Sequence, residues 1–217
     1  MEDTSKKVFT IPNIITFLRI LVIPFFVLAY VRNHLITALI LVILSALSDT
    51  LDGTIARATN SISDMGKWLD PLADKLSQMT IAILMFIKFY GSTDLWMRRF
   101  AWVFLLFVGK EVLILLVALV MFLVGLRPQA AEIWGKAATV VFYTAMAILF
   151  LAGPDVGVLA NSSNIYWVLP EFIVKSLVIL SVIAAFISLF AYIPGTYRKF
   201  FQEKKEKEAA EAAAKDD

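Results

Sequence analysis

Four aspartates stand out in this 217-residue chain by their spacing. Asp49 and Asp52 are three residues apart and Asp70 and Asp74 four apart, so each pair falls on one face of a helix. A carboxylate inside or beside a membrane span costs on the order of 2.5–3.5 kcal/mol on insertion scales, which marks such residues as functional. Brought together, four anions repel, and a divalent cation is the simplest relief. Oxygen donors of this kind suit Mg²⁺, Mn²⁺ or Ca²⁺. Gly53 follows Asp52 where a helix loses about 1 kcal/mol relative to alanine, and the missing side chain lets something large approach the backbone. Ala56 keeps that surface small, and Arg57, one turn beyond Gly53, is suited to clamp a phosphate.

The elements that must carry these residues are membrane spans. The chain is 60% hydrophobic and 18% charged, with a mean hydropathy of +0.80. A soluble domain holds about 45–50% apolar and about 25% charged residues. A net charge of +2 gives no electrostatic footprint for nucleic acid. With no cysteine and only His34, thiolate sites, disulfides and multi-histidine zinc sites are excluded, so a metal must be held by oxygen. Six apolar stretches are long enough to cross a bilayer: about 14–31, 35–57, 68–91, 98–125, 135–153 and 165–194. The expected fold is all-α and six-spanning, with a polar cavity facing the cytosol. Turn chemistry at Gly91–Asp94 and Gly153–Asp155 separates spans. Lys6, Lys7, Arg57, Lys67, Arg127, Lys136 and the basic residues after the sixth span place both termini in the cytosol, against Arg32, Lys88, Arg98 and Arg99 on the other side. The second connector then makes the second and third spans antiparallel neighbours and gathers the aspartates at the cytosolic boundary.

Written out, the segment is Asp49-x2-Asp52-Gly53-x2-Ala56-Arg57-x8-Gly66-x3-Asp70-x3-Asp74. At every fixed position it resembles the motif of the CDP-alcohol phosphotransferase family of membrane enzymes. Eight such matches arise by chance on the order of 10⁻¹⁰ per starting point. Ile11–Thr16 leading into Phe17-Leu18-Arg19, and the six-span layout, are also similar to the family. The run Leu69-Asp70-Pro71-Leu72-Ala73-Asp74-Lys75 looks like bacterial phosphatidylglycerophosphate synthases and like the cardiolipin synthases of the same superfamily. Beyond about residue 95 the likeness is mainly hydropathic.

The resemblance implies two metal ions, Mg²⁺ or Mn²⁺, on the pyrophosphate of CDP-diacylglycerol. Asp49 and Asp70 would bridge both ions, Asp52 would complete the first and Asp74 would touch the second. Asp74 would also be the general base, taking the proton of an acceptor hydroxyl as CMP leaves. Gly53, Ala56, Arg57 and Ser63 would meet the nucleotide, and Asn13 and Thr16 would line the CDP-lipid site. For Asn13, a helix cap is an equal reading.

The acceptor implied is sn-glycerol 3-phosphate, a small polyol phosphate, giving phosphatidylglycerophosphate. Its phosphate needs basic residues. Candidates are Lys110, Arg127 and Lys136, although related synthases tend to carry arginine where Lys110 stands. Lys110 also reads as a structural ion pair or a snorkelling residue, and Glu111 as a neighbour on a different helix face. Phosphatidylglycerol, giving cardiolipin, or an inositol phosphate is the alternative acceptor. A divalent-cation transporter is the remote alternative, and Arg57 beside the acids opposes it.

The expected organisation is a catalytic domain over residues 1–198 and a charged cytosolic tail, helical or disordered, over 199–217. The residues up to about 12 read as an amphipathic surface helix. The membrane expected is the bacterial inner membrane, with a homodimer implied by the family and no nucleic-acid partner. Trp68, Trp96, Trp102, Trp134 and Trp167 read as interfacial anchors, and Glu171 with Lys175 as a compensating pair.

Overall fold

A computed structural model describes residues 11–58, 66–123, 133–161 and 167–213. The side chains of 11–12, 49–58, 66–68, 70–71, 122, 192–200 and 202–213 lie outside that description. The elements are α1 (Ile11–Val31), α2 (Leu35–Ala58), α3 (Gly66–Tyr90), α4 (Leu95–Phe100), α5 (Trp102–Leu123), α6 (Ile133–Ala152) and α7 (Glu171–Ala213). No strand occurs among the described residues. Only Ala101 separates α4 from α5, so the two run as one rod where a single uninterrupted span was expected. The interruption is slight: Ala101 keeps helical angles, and the amide of Phe104 bonds its carbonyl at 2.9 Å, three residues back rather than four.

The protein is an all-α integral membrane protein. α1, the α4–α5 rod, α6 and the first half of α7 are long and apolar enough to cross a membrane. α2 is apolar from Leu35 to Ser48 and polar beyond it, and α3 is polar at its start. With 24 and 25 residues, each reaches about 36–38 Å at 1.5 Å per residue, beyond the bilayer core of about 30 Å.

The rods close into a ring. α1 packs on α2 and α3, α3 on α5, α5 on α7, α7 on α6, and α6 on α2. Lipid supplies no hydrophobic drive between helices, so close backbone approach matters, and Ala29, Ala38, Ala82, Ala138, Ala145 and Ala185 are all buried. Aromatic side chains fill the interior: the ring of Phe150 meets those of Phe26 and Tyr30 edge-on at 5.7 and 5.1 Å, and Phe107 stacks on Phe142 at 4.3 Å. Phe17, Phe25, Ile40, Leu116 and Phe190 face outward, as lipid contact requires.

One end of the ring is tied by its connectors. Asn33, at φ 60°, ends α1 in the left-handed conformation that asparagine tolerates, and the amide of His34 bonds the carbonyl of Ala29 at 2.9 Å. Lys88 on α3 donates to Asn33 Oδ1 at 3.3 Å and stands over the Tyr30 ring. Ser92 donates to Asp155 Oδ2 at 2.7 Å, joining the α3–α4 and α6–α7 connectors. Asp74 lies toward the opposite end.

Two expectations are corrected. Among the described residues α2 meets α3 only slightly, because α1 lies against both. The last helix begins at Glu171 instead of near 165, since Pro170 disfavours helix at Leu169, and Pro170 itself accepts the amides of Ile173 and Val174.

Candidate active site

Asp74 is held by a neighbour on its own helix. Gln78, one turn further along α3, donates from Nε2 to Asp74 Oδ2 at 2.9 Å. The same nitrogen reaches Thr139 Oγ1 on α6 at 3.2 Å, so α3 and α6 share the orientation of this carboxylate. Gln78 is only 2% exposed, and its short tether to Asp74 follows from their spacing of four residues on one helix.

The next residue points elsewhere. Successive helical positions diverge by about 100°, and Lys75 turns toward α5. There its Nζ lies 2.8 Å from Glu111 Oε2, while the other carboxylate oxygen forms an ion pair with Lys110. Glu111 is fully buried and Lys110 nearly so, whereas the Lys75 side chain keeps 19% of its exposure. The Lys110 ammonium also stands 5.2 Å from the centre of the Phe107 ring.

α1 contributes a buried polar edge of Asn13, Thr16 and Arg19. Arg19 Nε donates to Ser48 Oγ at 3.3 Å, and Ser48 in turn donates to the carbonyl of Ser45 at 2.8 Å. A small cavity between α1, α2 and α3 is lined by Arg19, Ser45, Ser77 and Thr80 among apolar side chains, with room for about one water.

The residues singled out in the sequence divide as follows. Asp49, Asp52, Gly53, Ala56 and Arg57 occupy the last turns of α2, and Asp70 the second turn of α3, with their side chains outside the described set. Ser63 and Arg127 lie outside the described residues, as does the stretch before Ile11. Asn13, Thr16, Asp74 and Lys110 are inside the ring. Lys136 is exposed on α6, one turn before Thr139. Of the readings open for Lys110, the structural ion pair is the one observed: Glu111 pairs with Lys110, and with Lys75 as well. Gln78, Thr139 and the Lys75–Glu111 contact were missed. Two signals were present: an amide one turn from Asp74, and a second charge inside the fourth span. Glu171 and Lys175 do form their ion pair.

The donor chemistry fits a hard divalent ion. Asp74 offers only carboxylate oxygen, the chain has no cysteine, and His34 sits in the α1–α2 turn at the far end. Among the described residues no three acidic or histidine side chains stand together, since Asp49, Asp52 and Asp70 fall outside them.

Comparison with known proteins identifies the family. The model of the CDP-alcohol phosphatidyltransferase family matches residues 9–193. A cardiolipin synthase (CMP-forming) of Streptomyces coelicolor is 31% identical over 154 residues, 68% of each chain. A CDP-diacylglycerol–glycerol-3-phosphate 3-phosphatidyltransferase of Aquifex aeolicus is 27% identical over 194 residues, covering 89% of this chain and 99% of the relative. The protein of that name from Pectobacterium atrosepticum is 34% identical over 139 residues, 60% of this chain and 71% of its own. With a metal-suited carboxylate inside a ring of membrane helices and a family match over most of its length, the chain belongs to the CDP-alcohol phosphatidyltransferases, membrane transferases of phospholipid biosynthesis that generally use divalent metals.

Proposed function

We propose that this enzyme transfers the phosphatidyl group of CDP-diacylglycerol to sn-glycerol 3-phosphate, releasing CMP and forming phosphatidylglycerophosphate. The observation that carries the reading is the pair of arrangements on successive residues of α3, where Gln78 tethers the Asp74 carboxylate and part-exposed Lys75 meets buried Glu111 and Lys110. The similarity to the Aquifex protein over nearly its whole length supports the same acceptor.

In this mechanism Asp74 accepts the proton of the acceptor hydroxyl. The hydroxyl oxygen forms a bond to the lipid-side phosphorus, and the bond from that phosphorus to the oxygen of CMP breaks. Two divalent ions, Mg²⁺ or Mn²⁺, held by Asp49, Asp52, Asp70 and Asp74, would neutralise charge on the pyrophosphate and the departing CMP. Gly53, Ala56, Arg57 and Ser63 bind the nucleotide, and Asn13 and Thr16 line the lipid-linked donor. Lys110, Arg127 and Lys136 serve the acceptor phosphate. Gln78 keeps Asp74 aimed, which matters because catalysis of this kind rests on positioning and proton transfer.

The site opens to the cytosol in the bacterial inner membrane, with both termini on that side. The enzyme works as a homodimer, residues 1–198 form the catalytic domain, and 199–217 form a charged cytosolic tail, helical or disordered. One alternative acceptor has a specific observation behind it: the Streptomyces relative is a cardiolipin synthase, which favours phosphatidylglycerol as the acceptor in that reading.

The test is CMP release from CDP-diacylglycerol and Mg²⁺ or Mn²⁺ with each acceptor in turn. Release with glycerol 3-phosphate that Asp74→Asn abolishes is the expected result. Release with phosphatidylglycerol alone replaces the acceptor, and no release with any acceptor defeats the proposal.

A further inference from the structure

We infer that the groove between the α4–α5 rod and the start of α7 binds one anionic phospholipid, with its phosphodiester on Arg99 and Lys175 and its acyl chains along the two helices. The groove is at the end of the ring away from Asp74, in the opposite leaflet, and the inference holds whichever acceptor the enzyme uses.

The groove has two walls. Leu95, Trp96, Arg99, Phe100 and Val103 form one and Lys175 the other, around about 570 Å³. That volume falls in the range of small-ligand clefts, about 300–1,000 Å³. The rod residues follow one another at spacings of three and four, so they share one stripe of the helix. Arg99 and Lys175 each stand one turn inside the start of an apolar span, and both spans start at this end. At 1.5 Å per residue that is a depth of about 6 Å for both cations, close under the membrane surface.

Available donors are the first reason. Arg99 is exposed and makes no ion pair among the described residues. Its planar guanidinium offers a fork of N–H donors that fits two phosphate oxygens at once. Lys175 pairs with Glu171, which takes one of its three N–H donors, and its ammonium stands 5.2 Å from the centre of the Trp96 ring. The carboxylate and the ring hold that ammonium at the mouth of the groove. The neighbouring charges have been counted. Arg98 faces the Tyr90 ring, and Asp94 precedes α4. Lys88, bonded to Asn33, and Asp155, bonded to Ser92, cancel. Arg98, Arg99 and Lys175 against Asp94 and Glu171 leave one positive charge, which a single phosphodiester neutralises.

The amphiphilic layout is the second reason. Deeper in the membrane the rod continues from Arg99 to Val103 and Leu106, and α7 continues from Lys175 to Ile179 and Ile183. Leu106, Ile179 and Ile183 face outward. Cations near the surface and an apolar track beneath them follow the order of groups in a phospholipid. A free phosphate ion gains nothing from that track. A zwitterionic lipid brings its own ammonium to two cations and is disfavoured. A phosphate touching both Arg99 and Lys175 also bridges the rod and α7, so the lipid should stabilise the fold.

The full-length protein, stripped of lipid in detergent, is titrated with phosphatidylglycerol or phosphatidylcholine of matched chains. Bound lipid is read by native mass spectrometry and stability by thermal unfolding. Phosphatidylglycerol should bind at least about tenfold more tightly than phosphatidylcholine and raise the unfolding temperature. The double variant Arg99→Gln/Lys175→Gln should lose that preference and that rise, whereas Arg98→Gln should keep both. Asp74→Asn should also keep both, which separates this groove from phosphatidylglycerol entering the active site. Equal binding of the two lipids overturns the inference, as does unchanged binding in the double variant or an equal loss in Arg98→Gln. Displacement of phosphatidylglycerol by the same concentration of inorganic phosphate marks a free-ion site and also overturns it. Should the double variant not fold, Arg99→Gln decides alone, because that side chain is exposed.

Discussion

Gln78 Nε2 lies 2.9 Å from Asp74 Oδ2, and the same nitrogen reaches Thr139 on a different helix. One amide group therefore sets the orientation of the carboxylate proposed as the base and joins α3 to α6 at that level. Gln78→Leu removes the donor while keeping the volume close. Losing a hydrogen bond to a charged group costs roughly 1.5–3 kcal/mol, so kcat should fall about ten- to hundredfold with the unfolding temperature little changed. Gln78→Asn should not rescue it, since the shorter side chain falls short of Asp74. Steady-state CMP release, together with thermal unfolding in detergent, separates the two effects.

Tyr30 presents a different situation. Its hydroxyl oxygen is buried with no hydrogen-bond partner among the described residues, while its ring packs on Phe26 and Phe150. Tyr30→Phe keeps the ring and removes the stranded polar group, so stability should hold or rise by about 1 kcal/mol. Tyr30→Ala should cost about 3–5 kcal/mol through the cavity it leaves. Thermal unfolding of both variants checks the pair of signs.

Gly153 ends α6 where no side chain fits. A Cβ there would lie 2.6 Å from the carbonyl oxygen of Leu149 and 2.7 Å from Val156 Cγ2. The backbone carbonyl cannot move aside without disturbing the last turn of α6. Gly153→Ala should therefore destabilise by about 1–3 kcal/mol, an overpacking cost, and lower the yield of folded protein.

Removing divalent ions should stop the reaction while leaving the fold in place. EDTA treatment is expected to abolish CMP release, with Mg²⁺ or Mn²⁺ restoring it. Asp52→Asn should remain inactive at all metal concentrations tested, with near-native helix content by circular dichroism. Activity that survives chelation would refute the metal assignment.

The sequence made some of this legible and hid the rest for definite reasons. Apolar runs located the helices to within a few residues because span length is dictated by bilayer thickness. The boundary near Glu171 was displaced because residues 167–169 are as apolar as a helix while their backbone is not helical. Asp74 drew attention in the sequence through its spacing to Asp70. The contact between Lys75 and Glu111 was not, because 36 positions separate them and hydropathy does not say which spans are neighbours. The place of α1 between α2 and α3 was hidden for the same reason: chain order suggests a hairpin, whereas packing inserts a third helix. Thr139 gave no signal at all, being an ordinary threonine in an apolar helix.

The placement of Asp74 and Lys75 on consecutive residues of α3 has a mechanical consequence. One faces a tether anchored on α6 and the other an anchor on α5, so the rotational phase of α3 is pinned from two sides at once. A twist of this helix cannot move one group without carrying the other. The Asp74 carboxylate and the Lys75 ammonium thus behave as two teeth of a single gear, and a misaligned α3 disengages both together.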